Sequence, residues 1–233
     1  MSDAELKDIA ILLYDRFTAL DAVGPYEVLS RLPGHRVTFV ATEPGPVSTD
    51  NGRLTVLAER SIAELPAPEI LLVPGGPGEV AARAGGEALE WVRAAHETTT
   101  WTTSVCTGSL ILAAAGLLEG KRATSHWLAM EELSRLGAVP VSERVVFDGK
   151  IVTAAGVSAG IDMALTFVAR LAGERVAQAI QLGIEYDPQP PFNAGSPRTA
   201  PAPVVELLTQ LSRFSEQARD PALTSVGDGR AKV

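Results

Sequence analysis

Apolar residues along this chain follow two rhythms. Some form short unbroken runs. "DIAILLY" (Asp8–Tyr14) and "PEILLVPGGPGE" (Pro68–Glu79) are apolar at successive positions, the pattern of strands buried on both faces. "HRVTFVAT" and "WTTSV" read as further strands, "RATSHW" as a brief one, and "GRLTVLAERSIAEL" as a strand or hairpin arm running into a short helix. "RVVFDGKIVTAAG" reads as a hairpin turning at Asp148–Gly149. The second rhythm is helical. "ALDAVGPYEVLSRL" sets Val23, Tyr26, Leu29 and Leu32 at helical spacing, with Pro25 expected in the first turn, where its missing N–H costs nothing. "EALEWVRAAHE", "LAMEELSRLG", "SAGIDMALTFVARLAG" and "ERVAQAIQLGIEY" are helical too, and "TGSLILAAAGLLEG" is a helix expected to close at Gly116 or Gly120. Strands alternating with helices predict an α/β fold with a mostly parallel sheet covered on both sides.

The texture changes at Asp187. "DPQPPFNAGSPRTAPAP" is too rich in proline for a helix or a central strand, and "VVELLTQLSRFSEQA" is expected to close the chain as a helix. No internal repeat or dividing linker is visible, so residues 1–218 are expected to form one domain, with 219–233 as a flexible C-terminal tail.

Composition narrows the function classes. Of 233 residues, 46% are apolar, 21% are charged and only 5% are aromatic, and the net charge is −8. An acidic, aromatic-poor chain offers neither a basic face for phosphates nor a stacking surface, so nucleic acid is not an expected partner. "MSDAELKD" has no apolar signal core and no run reaches the length of a membrane span, so a cytoplasmic protein with no membrane partner is expected. The lone cysteine suits a reducing compartment and cannot form an intrachain disulfide. Three scattered histidines show no metal-ligand spacing, so no metal is expected.

That cysteine stands in "TTSVCTGSLILAAAG" (Thr102–Gly116). If Val105 ends a strand and Thr107 starts a helix, Cys106 sits in the turn between them. Ser-x-Cys-x-Gly has the form of a nucleophile elbow, with small residues where strand and helix crowd each other. The turn would lift the sulfur above the carboxyl edge of the sheet, where open α/β folds place ligands. A helix N-terminus beside it should stabilise a thiolate and lower its pKa, and the Thr107 N–H would face developing charge. The alternative is an inert core thiol. Asp21, just past the first strand, lies on the same sheet edge and could carry a proton, or it could simply cap the helix. Gly76, in "VPGGPG", could add an oxyanion donor, although Pro-Gly-Gly is commonly just a turn. His126 is a candidate base for a Cys–His pair or a structural histidine, and His35 and His96 suggest nothing.

Taken together, "LDAVGPYEVL", "VPGGPG", "SVCTGSLILAAAGLLEGKRATSHW", "ERVVFDGKIVTAAGVSAGIDMAL" and "EYDPQPPFNAGSP" resemble the ThiJ/PfpI superfamily of the class I glutamine amidotransferase-like fold, and within it the isonitrile hydratases. The resemblance runs nearly end to end. It implies a flavodoxin-like three-layer sandwich and a homodimer with the site near the subunit interface. The Pro-rich segment Asp187–Pro203 is the part expected to cross to the second subunit. It maps the nucleophile onto Cys106, the acid/base carboxyl onto Asp21, and a residue contacting the reacting group onto Thr107. The protease-like members carry His directly after the cysteine, where this chain has Thr107. The hydratase motif often reads Leu-Thr where this chain has Ala22-Val23, a difference that bears on pocket shape. The implied activity is cofactor-free hydration of a small-molecule isonitrile to an N-substituted formamide. Alternatives are an amidase or glyoxalase-like enzyme on the same site, or a redox- or ligand-sensing module such as AraC-type regulators carry.

Overall fold

Alternation along two short apolar runs sets the layers of this molecule. In the computed structural model, which describes residues 6–214, the chain runs through β1 (Lys7–Leu12), α1 (Ala19–Leu29), β2 (His35–Ala41), β3 (Gly45–Ser48), β4 (Thr55–Ala58), β5 (Arg60–Ser61), β6 (Ile70–Val73), α2 (Glu79–Arg83), α3 (Glu87–Thr98), β7 (Trp101–Val105), α4 (Gly108–Ala114), β8 (Arg122–Ala123), α5 (Met130–Arg135), β9 (Val139–Pro140), β10 (Val145–Asp148), β11 (Ile151–Ala154), α6 (Ala159–Ala172), α7 (Glu174–Gly183) and α8 (Ala202–Leu211). The tail expected at 219–233 lies outside the described residues.

Seven strands form one sheet in the order β10-β11-β7-β6-β1-β2-β5. All neighbours are parallel except β10 against β11. Successive side chains of a strand point to opposite faces. Ile9, Ile11, Ile70 and Leu72 therefore join one core with Val28 of α1 and Met163 and Phe167 of α6. Ala10, Leu12, Leu71 and Val73 join the other, with Val92 of α3, Leu110 of α4 and Leu133 of α5. Continuous apolar runs are what a sheet with two covered faces requires. Among the described residues no helix is long and apolar enough to cross a membrane.

Two local readings, those of Pro25 and "RATSHW", are corrected. Pro25 lies inside α1, four residues after Asp21, not in the first turn. Its ring deprives the Asp21 carbonyl of the usual helical donor. Pro25 is tolerated because its ring is buried against α6, where a Cβ on Gly160 would meet Pro25 Cγ at 3.0 Å. α4 ends at Ala114, and Gly116 turns the chain out at φ +81, the first of the two glycines expected to close it. "RATSHW" contributes only two strand residues, Arg122 and Ala123, paired with β9.

The strand order reverses between β1 and β6, since β2 lies on one side of β1 and β6 on the other. Ligands of open α/β sheets bind at the carboxyl ends of the strands at such a crossing. The backbone is very close there. A Cβ on Gly108 would sit 2.1 Å from Val73 O, and one on Gly78 would sit 1.8 Å from Asp15 O. Backbone cannot yield as a flexible side chain can, so Gly108→Ala should cost about 2 kcal/mol or more and lower Tm by several degrees. Gly183→Ala, at a helical position with nothing within 4 Å of the added carbon, should leave Tm unchanged or raise it slightly. Thermal melts of the two variants beside the parent check this.

Candidate active site

Three strand ends converge at the crossing: β1 leads to α1 and Asp21, β6 to the Pro74–Gly78 loop, and β7 to Cys106. Cys106 has φ +58. A non-glycine residue in the left-handed region is uncommon, and at a strand-to-helix turn it marks an elbow. The conformation is held from both sides. Cys106 N–H donates to Ala154 O at 3.0 Å and Ala155 O at 3.1 Å. The Cys106 carbonyl accepts the hydroxyls of Ser125 at 3.0 Å and Ser109 at 3.1 Å. Small neighbours are required, and Gly108 is one.

Asp21 is fully buried. It stands in the first turn of α1, but its carboxyl does not cap that helix. Asp21 Oδ2 instead accepts the N–H of Gly75 at 2.9 Å, 54 residues away in sequence. Oδ1 is buried and makes no well-formed hydrogen bond. The Cys106 thiol lies close enough to interact with the carboxyl. Burial pushes the Asp21 pKa up to about 7, with the charge of Asp50 adding to it, against the stabilising Gly75 N–H and the thiol.

The expectation of a lowered thiol pKa is overturned. Burial pushes Cys106 well above the ordinary thiol range, and the Asp21 charge pushes it further. The N–H groups of Val157 and Thr107 both favour the thiolate, but they do not offset the loss of water around a sulfur that is 5% exposed. α4 has only seven residues, and helix-end partial charge is a smaller effect than desolvation here.

Thr107 and Gly76 are brought together with this pair, in a particular way. Gly76 N–H donates to Thr107 Oγ1 at 3.0 Å, so that amide is engaged in holding Thr107. Gly75 is wedged against the same group: a Cβ there would meet Thr107 N at 2.5 Å and Asp21 Oδ2 at 2.9 Å. The Thr107 N–H faces the sulfur. His126 is directed elsewhere. Its Nδ1 accepts the Leu128 N–H at 3.3 Å, and burial lowers its pKa, so the ring is neutral. It lines a cavity of about 580 Å³ together with Ser125, Trp127, Met130, Gly156 and Val157. Ser125 and Val157 also touch Cys106, so cavity and elbow share a wall. His96, which sequence treated as uninformative, is half-buried with Nδ1 2.8 Å from Thr102 Oγ1. Among the described residues no cluster of three or more His, Cys, Asp and Glu side chains is placed to hold a metal ion.

Sequence reasoning missed several supporting groups. Gly75 carries the amide that binds Asp21, and its only signal was the glycine run after an apolar strand. Val157 has φ +34 and presents its N–H to the sulfur, a conformation that nothing in "AAGVSAG" announces. Tyr14 OH donates to Pro74 O at 2.7 Å and steadies the glycine loop. Buried Glu79, directly after that loop, is gripped by Arg83 Nε at 2.9 Å and Arg213 Nη1 at 2.9 Å. The second of these ties the end of the described chain to the site.

Comparison with known proteins agrees with this geometry. Residues 7–170 match the model of the DJ-1/PfpI family. The chain is 44% identical over 198 residues to the isonitrile hydratase of Pseudomonas putida, covering 85% of this chain and 86% of that protein. It is 31% identical to the HTH-type transcriptional regulator CdhR of Pseudomonas aeruginosa, covering 73% of this chain and 52% of that one. A crystal structure of a ThiJ/PfpI family protein from Pseudomonas syringae superposes with a TM-score of 0.85 at 40% identity, over 90% of this chain and 88% of the other. A left-handed cysteine elbow at the crossing of a mostly parallel sheet, with likeness of this extent in sequence and fold, places the chain in the DJ-1/PfpI family.

Proposed function

We propose that the protein is an isonitrile hydratase, converting R–N≡C and water to an N-substituted formamide by cysteine catalysis. One observation carries the reading: the buried Asp21 carboxyl, its pKa raised to about 7, packed beside the sole thiol of the chain. Such a carboxyl both takes and gives a proton near neutrality. The 44% identity to the Pseudomonas putida isonitrile hydratase supports isonitriles among the substrates such a pair could serve.

The raised thiol pKa decides how the steps run. A resting thiol needs a base, and Asp21 is the adjacent one. As sulfur bonds the terminal carbon of the isonitrile, Asp21 takes the thiol proton and passes it to that carbon, giving the thioimidate Cys106–S–CH=N–R. Water then adds to the carbon. Its oxygen forms the new C–O bond, and Asp21 relays one water proton to nitrogen. The tetrahedral adduct loses its hydroxyl proton as the C=O forms, the C–S bond breaks, the sulfur is reprotonated, and R–NH–CHO leaves. The Thr107 N–H faces the sulfur throughout, and Gly76 fixes the Thr107 side chain. No step calls for a metal or an organic cofactor.

A redox sensor is the reading from another class. Its thiol would need exposure and thiolate character. Cys106 is 5% exposed with a raised pKa, which favours catalysis assisted by a base over free oxidation. The proposal extends to a cytoplasmic homodimer. All of α8 lacks buried residues, while Phe192 at 77% and Leu211 at 73% exposure form apolar surface suited to a second copy.

Cys106→Ala should abolish formamide production from a simple alkyl or aryl isonitrile. Asp21→Asn should keep the thiol alkylatable while lowering kcat/KM by about a hundredfold or more; full turnover by the Asn variant would remove Asp21 from the scheme. The pH profile follows from Asp21. Below about 7 the pair holds two protons and the base is lost, so kcat/KM should rise with pH through about 7. It should then stay level, because the second proton leaves only at the raised thiol pKa. A profile with no limb near 7 would contradict the assignment. Sedimentation equilibrium should give twice the chain mass, and a monomer would remove the dimer from the reading.

A further inference from the structure

We propose that the cavity beside the elbow selects an isonitrile whose tail carries a carboxylate, and that Arg198 is the residue that recognises it. The inference rests on the hydratase reading and adds the substrate class. The cavity measures about 580 Å³. A benzene ring occupies a cavity of roughly 150 Å³, so a phenyl or cyclohexyl tail alone would leave most of this space unfilled. Trp127, Met130, Val157 and Pro197 supply apolar wall for such a ring.

The charged groups of the lining do not balance. Arg144 is bonded to Asp162 and reaches Ser158 Oγ at 3.3 Å. Glu143 is paired with Arg122 at 3.4 Å. Arg198 is different. Its backbone N–H donates to Ser196 Oγ at 3.2 Å, in a local turn that fixes the residue at the cavity wall. Among the described residues its guanidinium has no ion pair or hydrogen bond. His126 adds a second open donor: Nδ1 is occupied as an acceptor of the Leu128 N–H, so in the neutral ring Nε2 carries the hydrogen, and that hydrogen has no acceptor among the described residues. Among the described residues the cavity lining thus presents an uncompensated cation at Arg198 and open N–H donors at His126 and the Trp127 indole, with no free carboxylate. A guanidinium fork matches a carboxylate in two parallel hydrogen bonds, which a neutral tail cannot return. The slim N≡C head would reach past the wall shared with Cys106, while the bulk of the molecule stays in the cavity.

The test compares 4-isocyanobenzoate with phenyl isocyanide, which differ only in the carboxylate, on the full chain and on Arg198→Gln and Arg198→Lys. The parent should prefer the carboxylate in kcat/KM by about tenfold, the worth of one charged hydrogen-bonded contact. The preference should shrink in rising salt. It should fall towards one in Arg198→Gln and stay between in Arg198→Lys, which keeps charge but not the fork. Equal turnover of the two compounds by the parent, or a preference that survives Arg198→Gln, would overturn the inference and leave the hydratase intact. Turnover of neither would overturn the hydratase reading instead. The cavity is then judged by calorimetry with 4-formamidobenzoate and formanilide. Tighter binding of the carboxylate, lost in Arg198→Gln, upholds the selection, and equal binding of both refutes it.

Discussion

A backbone amide in one glycine loop, that of Gly75, holds the carboxyl of Asp21, and the rest of the site is arranged around that bond. The hydrogen bond spans 2.9 Å between two elements that sequence places far apart. It fixes one carboxylate oxygen and leaves the other buried and open, in a carboxyl that the thiol also touches. The neighbouring amide of Gly76 does the same for Thr107. Two consecutive N–H groups after β6 therefore align the side chains contributed by the other two strand ends. A loop can do this only if it lies almost in contact with both, which is why Gly75 has no room for a Cβ.

Electrostatics in the site follow from this closeness. With water excluded, both Asp21 and Cys106 resist ionising; the Asp21 charge further opposes the thiolate, whereas the neutral thiol favours the Asp21 carboxylate. Neither is a strong acid or nucleophile by itself, and their joint state with a single shared proton is the reactive one under the proposed chemistry. The Val157 and Thr107 amides keep the thiolate within reach without making it the resting form. Such a pair favours substrates that accept both a nucleophile and a proton at one carbon, as an isonitrile does.

Much of the fold was legible because its signals are local. "AILL" and "ILLV" declare buried strands, Asp148–Gly149 declares its hairpin, and Ser-Val-Cys-Thr-Gly declares a tight turn. The family resemblance carried Asp21 and Cys106 to their positions. Other features were illegible for physical reasons. The thiol pKa depends on how completely water is removed, which no short motif encodes, so the favourable helix end was overweighted. Pro25 was misplaced by a turn because its tolerance comes from a contact with α6, more than 130 residues on. The positive φ of Val157 is imposed by its surroundings on a β-branched residue that disfavours it. Gly76 was expected to offer its amide to an oxyanion, whereas that amide donates to Thr107 Oγ1, and which atom it serves is a property of packing.

The buried acid also sets the terms on which the fold survives. In the unfolded chain Asp21 ionises near the ordinary carboxylate value, whereas in the folded chain it does so only near 7. Below both values the group is protonated in either state and adds no bias. Between them the unfolded chain sheds a proton that the folded chain retains, so stability drains away as the solution becomes neutral, by on the order of 4 kcal/mol from this group, and then levels off. The contribution of Asp21 to stability is thus fullest in acid, where the proton carrier is idle, and smallest where that carrier is fit to work.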